Sequence, residues 1–359
     1  MRKKAVSRFF VFSLLGLFMG LLSGCRPQAK DRLFRSAWPE GITRPWAGPE
    51  FWANRLQDWR IANGRLECLQ GSAEKPLRTV HILTRRLSRR PEGFCLRVVC
   101  GLIDGVFEED DRVPPDAGAG FLVGAGPDLD YRAAALVHHS PGPGGGILAL
   151  VDGKGRAVFR DMTREGFPVL AASPPPPGGL PEKVSVHLSA KKENRTYRLI
   201  LRIRDSKNGR VSSRAVLEPA DPARLRGSIA LVSHPGLQAS EQENGASKDA
   251  GRRASPRAGA RFWFQNLEMR GRKLDAHEDR LCGPVLAVQY TLSRGILKLT
   301  AQMMPVGPED PDRVRLEVQT GGDWKEMATS RIELSGYIAR FRIANWDATR
   351  DVPFRVVYA

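Results

Sequence analysis

The chain has 359 residues and a net charge of +17, with 42% hydrophobic and 26% charged residues. That length holds two domains with real cores, and the composition is that of a globular chain. No internal repeat of fixed period is present, and the 36 glycines and 26 prolines are scattered, which suits many short strands joined by turns.

The chain opens on an export signal. Arg2, Lys3, Lys4 and Arg8 precede an apolar run over residues 9–22, the basic n-region and apolar h-region of a secretory signal. The run of 14 residues falls short of the roughly 20 that cross a bilayer as a helix. The next residues, Leu22-Ser23-Gly24-Cys25, resemble the lipobox of bacterial lipoproteins. The resemblance implies that residues 1–24 are a signal peptide, that the Cys25 thiol is acylated, and that membrane lipid is a partner through it. The other reading is an uncleaved signal anchor with a chance cysteine. The expected location is the bacterial cell envelope. Arg26, rather than Asp, after the cysteine implies the outer membrane where a second membrane exists.

Four of the positive charges lie in the signal, and residues 281–359 hold ten Lys/Arg against nine Asp/Glu. The excess therefore sits in residues 25–280. A basic balance speaks of association rather than fold. An exported chain meets no nucleic acid, so the expected partners are anionic headgroups, acidic envelope glycans or phosphorylated ligands. A generally arginine-rich surface explains the same charge.

Residues 25–55 read as a tether, an extended stretch studded with Trp38, Trp46 and Trp52 and without period. Strand signals then fill residues 56–272. Trp59-Arg60-Ile61 and Arg65-Leu66-Glu67-Cys68 flank Asn63-Gly64, a strong hairpin turn. Strands are expected near 79–87, 93–103, 119–124, 131–139, 146–151, 157–161, 183–190, 196–204, 210–217, 227–233 and 260–269. Val184, Val186 and Leu188 share one face, as do Tyr197, Leu199, Leu201 and Ile203. Thirteen short strands and no amphipathic helix read as a sandwich or jelly roll. Residues 174–179 form a stiff Pro/Gly loop, and residues 235–259, without aromatics, read as a loop insertion. Residues 273–283 read as a linker, and six strand signals over residues 284–359 suit an immunoglobulin-like sandwich.

Cys68, Cys95, Cys100 and Cys282 contain no C-x-x-C pair, which argues against a zinc or thioredoxin-type site. Cys95 and Cys100, five apart on one strand, face opposite ways and cannot pair with each other. Export permits a disulfide such as Cys68–Cys95, and small buried core residues explain the same cysteines.

The richest polar stretch is Asp128, Asp130, Tyr131, Arg132, His138 and His139. It is the expected ligand site. Asp128 and Asp130, at a strand entry, are hard oxygen donors suited to calcium, or local turn formers. His138 and His139, adjacent on a strand, face opposite ways, so one of them at most meets a ligand. Glu108 and Asp110 alternate, and on one strand would point into one cleft as in some glycosidases. The Arg112-Val113-Pro114-Pro115 that follows favours a solvated loop. Arg85-Arg86 and Arg89-Arg90 bracket a strand end and offer either an anion grip or a solvated basic turn. No residue is assigned a catalytic role.

Several phrases resemble the region upstream of the catalytic domain in bacterial alkaline phosphatase D family proteins. They include Asp58-Trp59-Arg60-Ile61, Phe262-Trp263-Phe264, Gln289-Tyr290-Thr291-Leu292 and Asp351-Val352-Pro353-Phe354. The first part also resembles concanavalin A-like and laminin-G-like jelly rolls. The resemblance implies an all-β fold, a concanavalin A-like jelly-roll sandwich followed by a smaller immunoglobulin/fibronectin-like β-sandwich. The family's metallophosphoesterase domain would follow Tyr358. A two-metal site needs clustered Asp, His and Asn ligands, yet none of His81, His138, His139, His187, His234 and His277 lies in a G-D-x-H or G-N-H segment. The expectation is a free-standing relative of that region, or the first half of a split or truncated gene. The leading functional expectation is a lipid-anchored, non-catalytic envelope protein whose jelly roll binds a glycan or acidic ligand. The alternatives are the accessory half of a phosphodiesterase with a separately encoded phosphatase domain, and a glycoside hydrolase or lyase using Glu108 and Asp110.

Overall fold

The computed structural model describes residues 33–71, 77–103, 113–236 and 259–358. Cys25 with its signal, Glu108, Asp110 and most of the 235–259 loop lie outside the described residues. In chain order the large sandwich contains β1 (Phe34–Arg35), β2 (Phe51–Ala53), β3 (Trp59–Ala62), β4 (Arg65–Cys68), β5 (Arg78–Leu87), β6 (Phe94–Leu102) and β7 (Gly118–Ala125). Then come α1 (Tyr131–Val137), β8 (Ile147–Asp152), β9 (Ala157–Asp161), β10 (Val169–Ala172), β11 (Lys183–Glu193), β12 (Thr196–Asp205), β13 (Val211–Ala220), β14 (Gly227–His234), β15 (Phe262–Arg270) and β16 (Leu274–Ala276). The smaller sandwich holds β17 (Val285–Ser293), β18 (Ile296–Met303), β19 (Arg313–Thr320), β20 (Asp323–Glu333), β21 (Ile338–Ile343) and β22 (Phe354–Tyr358).

The large sandwich is built of two antiparallel sheets packed face to face. The first runs β13-β12-β11-β6-β15-β4-β3, with β1 on β15; the second runs β10-β9-β8-β7-β14-β5-β16, with β2 on β5. Alternation builds the core between them. Val184, Val186 and Leu188 of β11 pack with Tyr197, Leu199, Leu201 and Ile203 of β12, all buried. Each such side chain withdrawn from water contributes about 1.5–3 kcal/mol. The Asn63-Gly64 turn has φ of 50° and 68°, the left-handed pair that matches strand twist in a two-residue hairpin.

In the smaller sandwich one six-stranded path, β17-β18-β21-β20-β19-β22, folds over its own core. The long β20 makes the fold possible: residues 323–331 pair with β19, while Ile332 and Glu333 pair with β21.

Three expectations need correction. Residues 33–55 are not a loose tether: β1 and β2 extend the two large sheets, and Trp46 is buried in the core of the smaller sandwich. Trp46 Nε1 donates to Cys282 O at 3.2 Å, and Arg44 stacks on the Trp46 ring and pairs with Asp310. The expected linker is equally built in, since β16 pairs with β5 and the buried Lys273 donates to Ser88 O and Arg90 O. The strand expected at 131–139 is the helix α1. Asp130 caps it by accepting from Arg132 N at 3.0 Å, and Ala133-Ala134-Ala135 supply the strongest helix-forming side chains. Of the two readings of the cysteines, the structure fits small core residues: the four described cysteines are free, and Cys68 and Cys100 are buried. Among the described residues no helix is long and apolar enough to cross a membrane.

Candidate functional site

The stretch singled out in the sequence folds as a cap on the second sheet. α1 lies over β5 and β14, and the buried Asn54 side chain donates to Ala135 O and, at 3.1 Å, to Thr79 Oγ1. Arg86 holds the preceding loop by donating to Gly126 O and Pro127 O, both at 2.8 Å, and to Leu129 O at 3.1 Å. Tyr131 is half-buried, with Arg280 over its ring at 4.7 Å and Arg132 at 5.4 Å. His138 is buried against Gly126 and Gly144, and that burial lowers its pKa. His139 turns outward, its Nδ1 3.0 Å from Leu136 O. The two histidines part at a helix end, not through the strand alternation expected of them.

Asp130 is exposed, and its carboxylate takes both the Nε–H and the backbone N–H of Arg132 at 3.0 Å. Those hydrogen bonds lower its pKa. Asp128 is exposed nearby. Among the described residues no group of three or more His, Cys, Asp or Glu is placed to hold a metal ion. Three arginines of the basic turn are engaged: Arg85 pairs with Glu278 at 2.8 Å, Arg86 holds the loop, and Arg90 pairs with Asp275.

The open surface lies on the other side of the molecule, on the outward face of the first sheet. Four neighbouring strands align one cationic row there. Arg97 of β6 stands opposite His187 of β11, His187 opposite Arg202 of β12, and Arg202 opposite Arg214 of β13. Their neighbours Leu96, Val98, Val186, Leu188, Leu201, Ile203 and Ala215 point into the core, so period 2 sends all four outward. Arg97 Nε donates to Ser185 Oγ at 3.2 Å, and Ser185 Oγ lies 2.9 Å from His187 Nε2. Burial, and after it the charges of Arg97, Arg204 and Arg202, push His187 down to about 4. Glu268 reaches only the Arg97 end, at 3.7 Å, and is shared with Arg35 at 3.1 Å.

A cleft of about 390 Å³ opens at the rim of this face, between the Pro176-Pro177-Gly178-Gly179 loop and the β12–β13 turn. Asp205 organises the turn by accepting from Lys207 N and Asn208 Nδ2, both at 2.8 Å. Lys207 pairs with Glu182 across the cleft at 3.0 Å. Arg210 and Ser212 line the side nearest the row. Sequence reasoning missed this face. Its signal was the outward half of an alternation read only for its apolar half: Arg198, Arg202 and Arg204 between Tyr197, Leu199, Leu201 and Ile203.

No family model matches the chain. No curated protein matches it either. Among solved structures it is similar to arcelin-5, a lectin-like defense protein from Phaseolus vulgaris, at 10% identity over 68% of this chain and 99% of that one, with a TM-score of 0.40. Peanut lectin is similar at 13% identity over 69% and 100%, TM-score 0.38. The exoplasmic/lumenal domain of VIP36, in a Ca2+/Man3GlcNAc-bound form, is similar at 8% identity over 61% and 81%, TM-score 0.34. Likeness of this degree carries none of their ligands over to this chain.

Proposed function

We infer that this chain is a lipid-anchored, non-catalytic envelope protein whose large sandwich binds a glycan on the open face of its first sheet. One observation carries the reading. The central strands β5, β7, β8 and β14 of the second sheet are buried on both faces, with α1 and a second layer of mostly apolar side chains over their outer side. The first sheet is apolar inward and presents Arg97, His187, Ser189, Arg202 and Arg214 outward, with the buried Ser185 between Arg97 and His187. Hydroxyl, imidazole and guanidinium groups on a rigid sheet are the donors and acceptors that sugar hydroxyls and carboxylates engage. Lipid at Cys25, with outer-membrane placement, completes the proposal, and the lipobox residues support it.

The full-length protein in detergent, presented to a glycan array, is expected to retain at least one glycan class, and hydrolysis of none. Retention of no glycan, or metal-dependent cleavage of a phosphodiester or glycan that a chelator abolishes, contradicts the reading. Labelled palmitate is expected to enter the wild-type chain and not a Cys25→Ala variant.

A second reading, docking of a separately encoded phosphatase domain, draws on the smaller sandwich. Its edge strand β17 exposes Leu286, Tyr290 and Leu292, with Tyr290 edge-on to Phe354 at 5.8 Å. Phosphodiesterase activity that co-purifies with the wild-type chain from its native envelope, and is lost with Leu292→Asp, would establish that partner.

A further inference from the structure

We propose that the open face of the first sheet binds an extended acidic polysaccharide laid across the strands, with Arg97, His187, Arg202 and Arg214 as the row that meets its carboxylate or sulfate groups. This rests on the reading of the large sandwich as a glycan-binding module and adds the charge of the ligand and its direction.

Register comes first. The four residues occupy directly opposed positions on β6, β11, β12 and β13, four strands adjacent in the sheet. Strands lie about 4.8 Å apart, close to the length that one extended pyranose occupies. A polymer crossing the strands therefore meets one row position per sugar. A polymer running along a strand meets Ser185, His187 and Ser189 on β11, and on β12 Arg198, Ile200, Arg202 and Arg204, of which Arg198 and Arg204 are already engaged by Glu218 and Gly209 O.

The energetics of the row point the same way. Like charges directly opposite each other destabilise a strand pair. Arg202 and Arg214 are such a pair, and no ion pair to either occurs among the described residues. Three further arginines of this face are engaged: Arg198 with Glu218 at 3.2 Å, Arg60 with Glu67 at 2.7 Å, and Arg204 with Gly209 O at 3.0 Å. An anion over the row relieves the repulsion and gains charge-assisted hydrogen bonds. His187 answers the same anion. Arg97 and Ser185 face it from β6 and its own strand, Arg202 and Arg204 from β12, and Glu268 from β15. A carboxylate bound among these groups favours the imidazolium form.

The chemistry of the face selects a glycan over an anionic bilayer. Among the described residues of the first sheet, Val211 at the rim is the one large apolar side chain that is exposed. A surface that settles into headgroups carries apolar or aromatic side chains that enter the acyl boundary. Trp263, the aromatic of this face, is buried under Arg65 at 4.9 Å and Lys183 at 5.6 Å.

The test uses the full-length protein in detergent, with calorimetric titration of three probes: a polygalacturonate hexamer, a neutral cello-hexamer, and phosphatidylglycerol vesicles. The polyuronate is expected to bind, with affinity that falls as salt rises. An R202Q/R214Q variant is expected to lose about tenfold or more, while R331Q on the smaller sandwich loses nothing. The His187 ring signal in NMR is expected to titrate at higher pH with the hexamer bound. Equal binding of the neutral hexamer, indifferent to R202Q/R214Q, overturns the acidic-ligand inference and leaves the glycan reading standing. Vesicle binding without polyuronate binding overturns it in favour of a membrane surface. Binding of no probe and no array glycan overturns both.

Discussion

The two outer faces of the large sandwich are built from the same fold with opposite chemistry. On the second sheet, Leu122, Leu148, Leu150, Ala230 and Val232 point outward and are buried beneath Met162 and Phe167. On the first sheet the equivalent outward positions carry Arg97, His187, Arg202 and Arg214. The difference is already in the strand sequences. β8 reads Ile-Leu-Ala-Leu-Val-Asp and is buried at every residue, whereas β12 alternates buried and half-buried along Tyr-Arg-Leu-Ile-Leu-Arg-Ile-Arg. A continuous apolar strand has been given two apolar neighbours and no room for a ligand. An alternating strand has one face left for solvent or a partner.

Substitutions should separate the faces. Phe167→Ala on the closed face is expected to cost about 3–5 kcal/mol, because the ring is buried over the sheet and packs edge-on to His234 at 5.6 Å. Urea denaturation monitored by tryptophan fluorescence measures it. A cost below about 1 kcal/mol would mean that the covering layer is loosely packed and that the contrast between the faces is weak.

Acid should act next, and mainly through the closed face. Burial holds His234 down to about 4 and His81 to about 3, against an ordinary value of 6.5. Below 6.5 the unfolded chain binds protons that the folded one refuses, so stability falls as pH falls. The contribution is full above 6.5 and is lost progressively down to about 4 for His234 and about 3 for His81. Denaturation series between pH 7.5 and 4.5 should show that decline, and His234→Gln should flatten it. A decline unchanged by His234→Gln would place the protons elsewhere.

The smallest effect belongs to the open face. Arg214→Ala removes an exposed charge opposite Arg202 and is expected to change stability by no more than about 0.5 kcal/mol, on the stabilising side. A loss above about 1 kcal/mol would show that Arg214 holds the sheet together rather than waiting for a ligand.

How much of this was legible depended on whether a feature is local. The apolar alternation of β11 and β12 and the Asn63-Gly64 hairpin are local, and reading along the chain finds them. β1, β2 and β16 are two or three residues long, and they are strands because β15 and β5 offer edges to pair with. Nothing in their own sequence says so. α1 escaped because Tyr131, Leu136 and Val137 look strand-like, while the Asp130 cap and three alanines decide the local contest for helix. The cationic row is the hardest case. Its members are spread over more than a hundred residues of sequence and meet only through the register of three strand pairs. The alternate arginines of β12 were visible, but their partners were not.

The most direct measurement is arginine modification by a dicarbonyl reagent, read by mass spectrometry on the full-length protein with and without polygalacturonate hexamer. The account predicts that the hexamer protects Arg97, Arg202 and Arg214 while Arg132 and Arg331 react as before. Protection of Arg132 beside α1, with the row still reactive, would contradict it and return the ligand to the Asp128–His139 stretch.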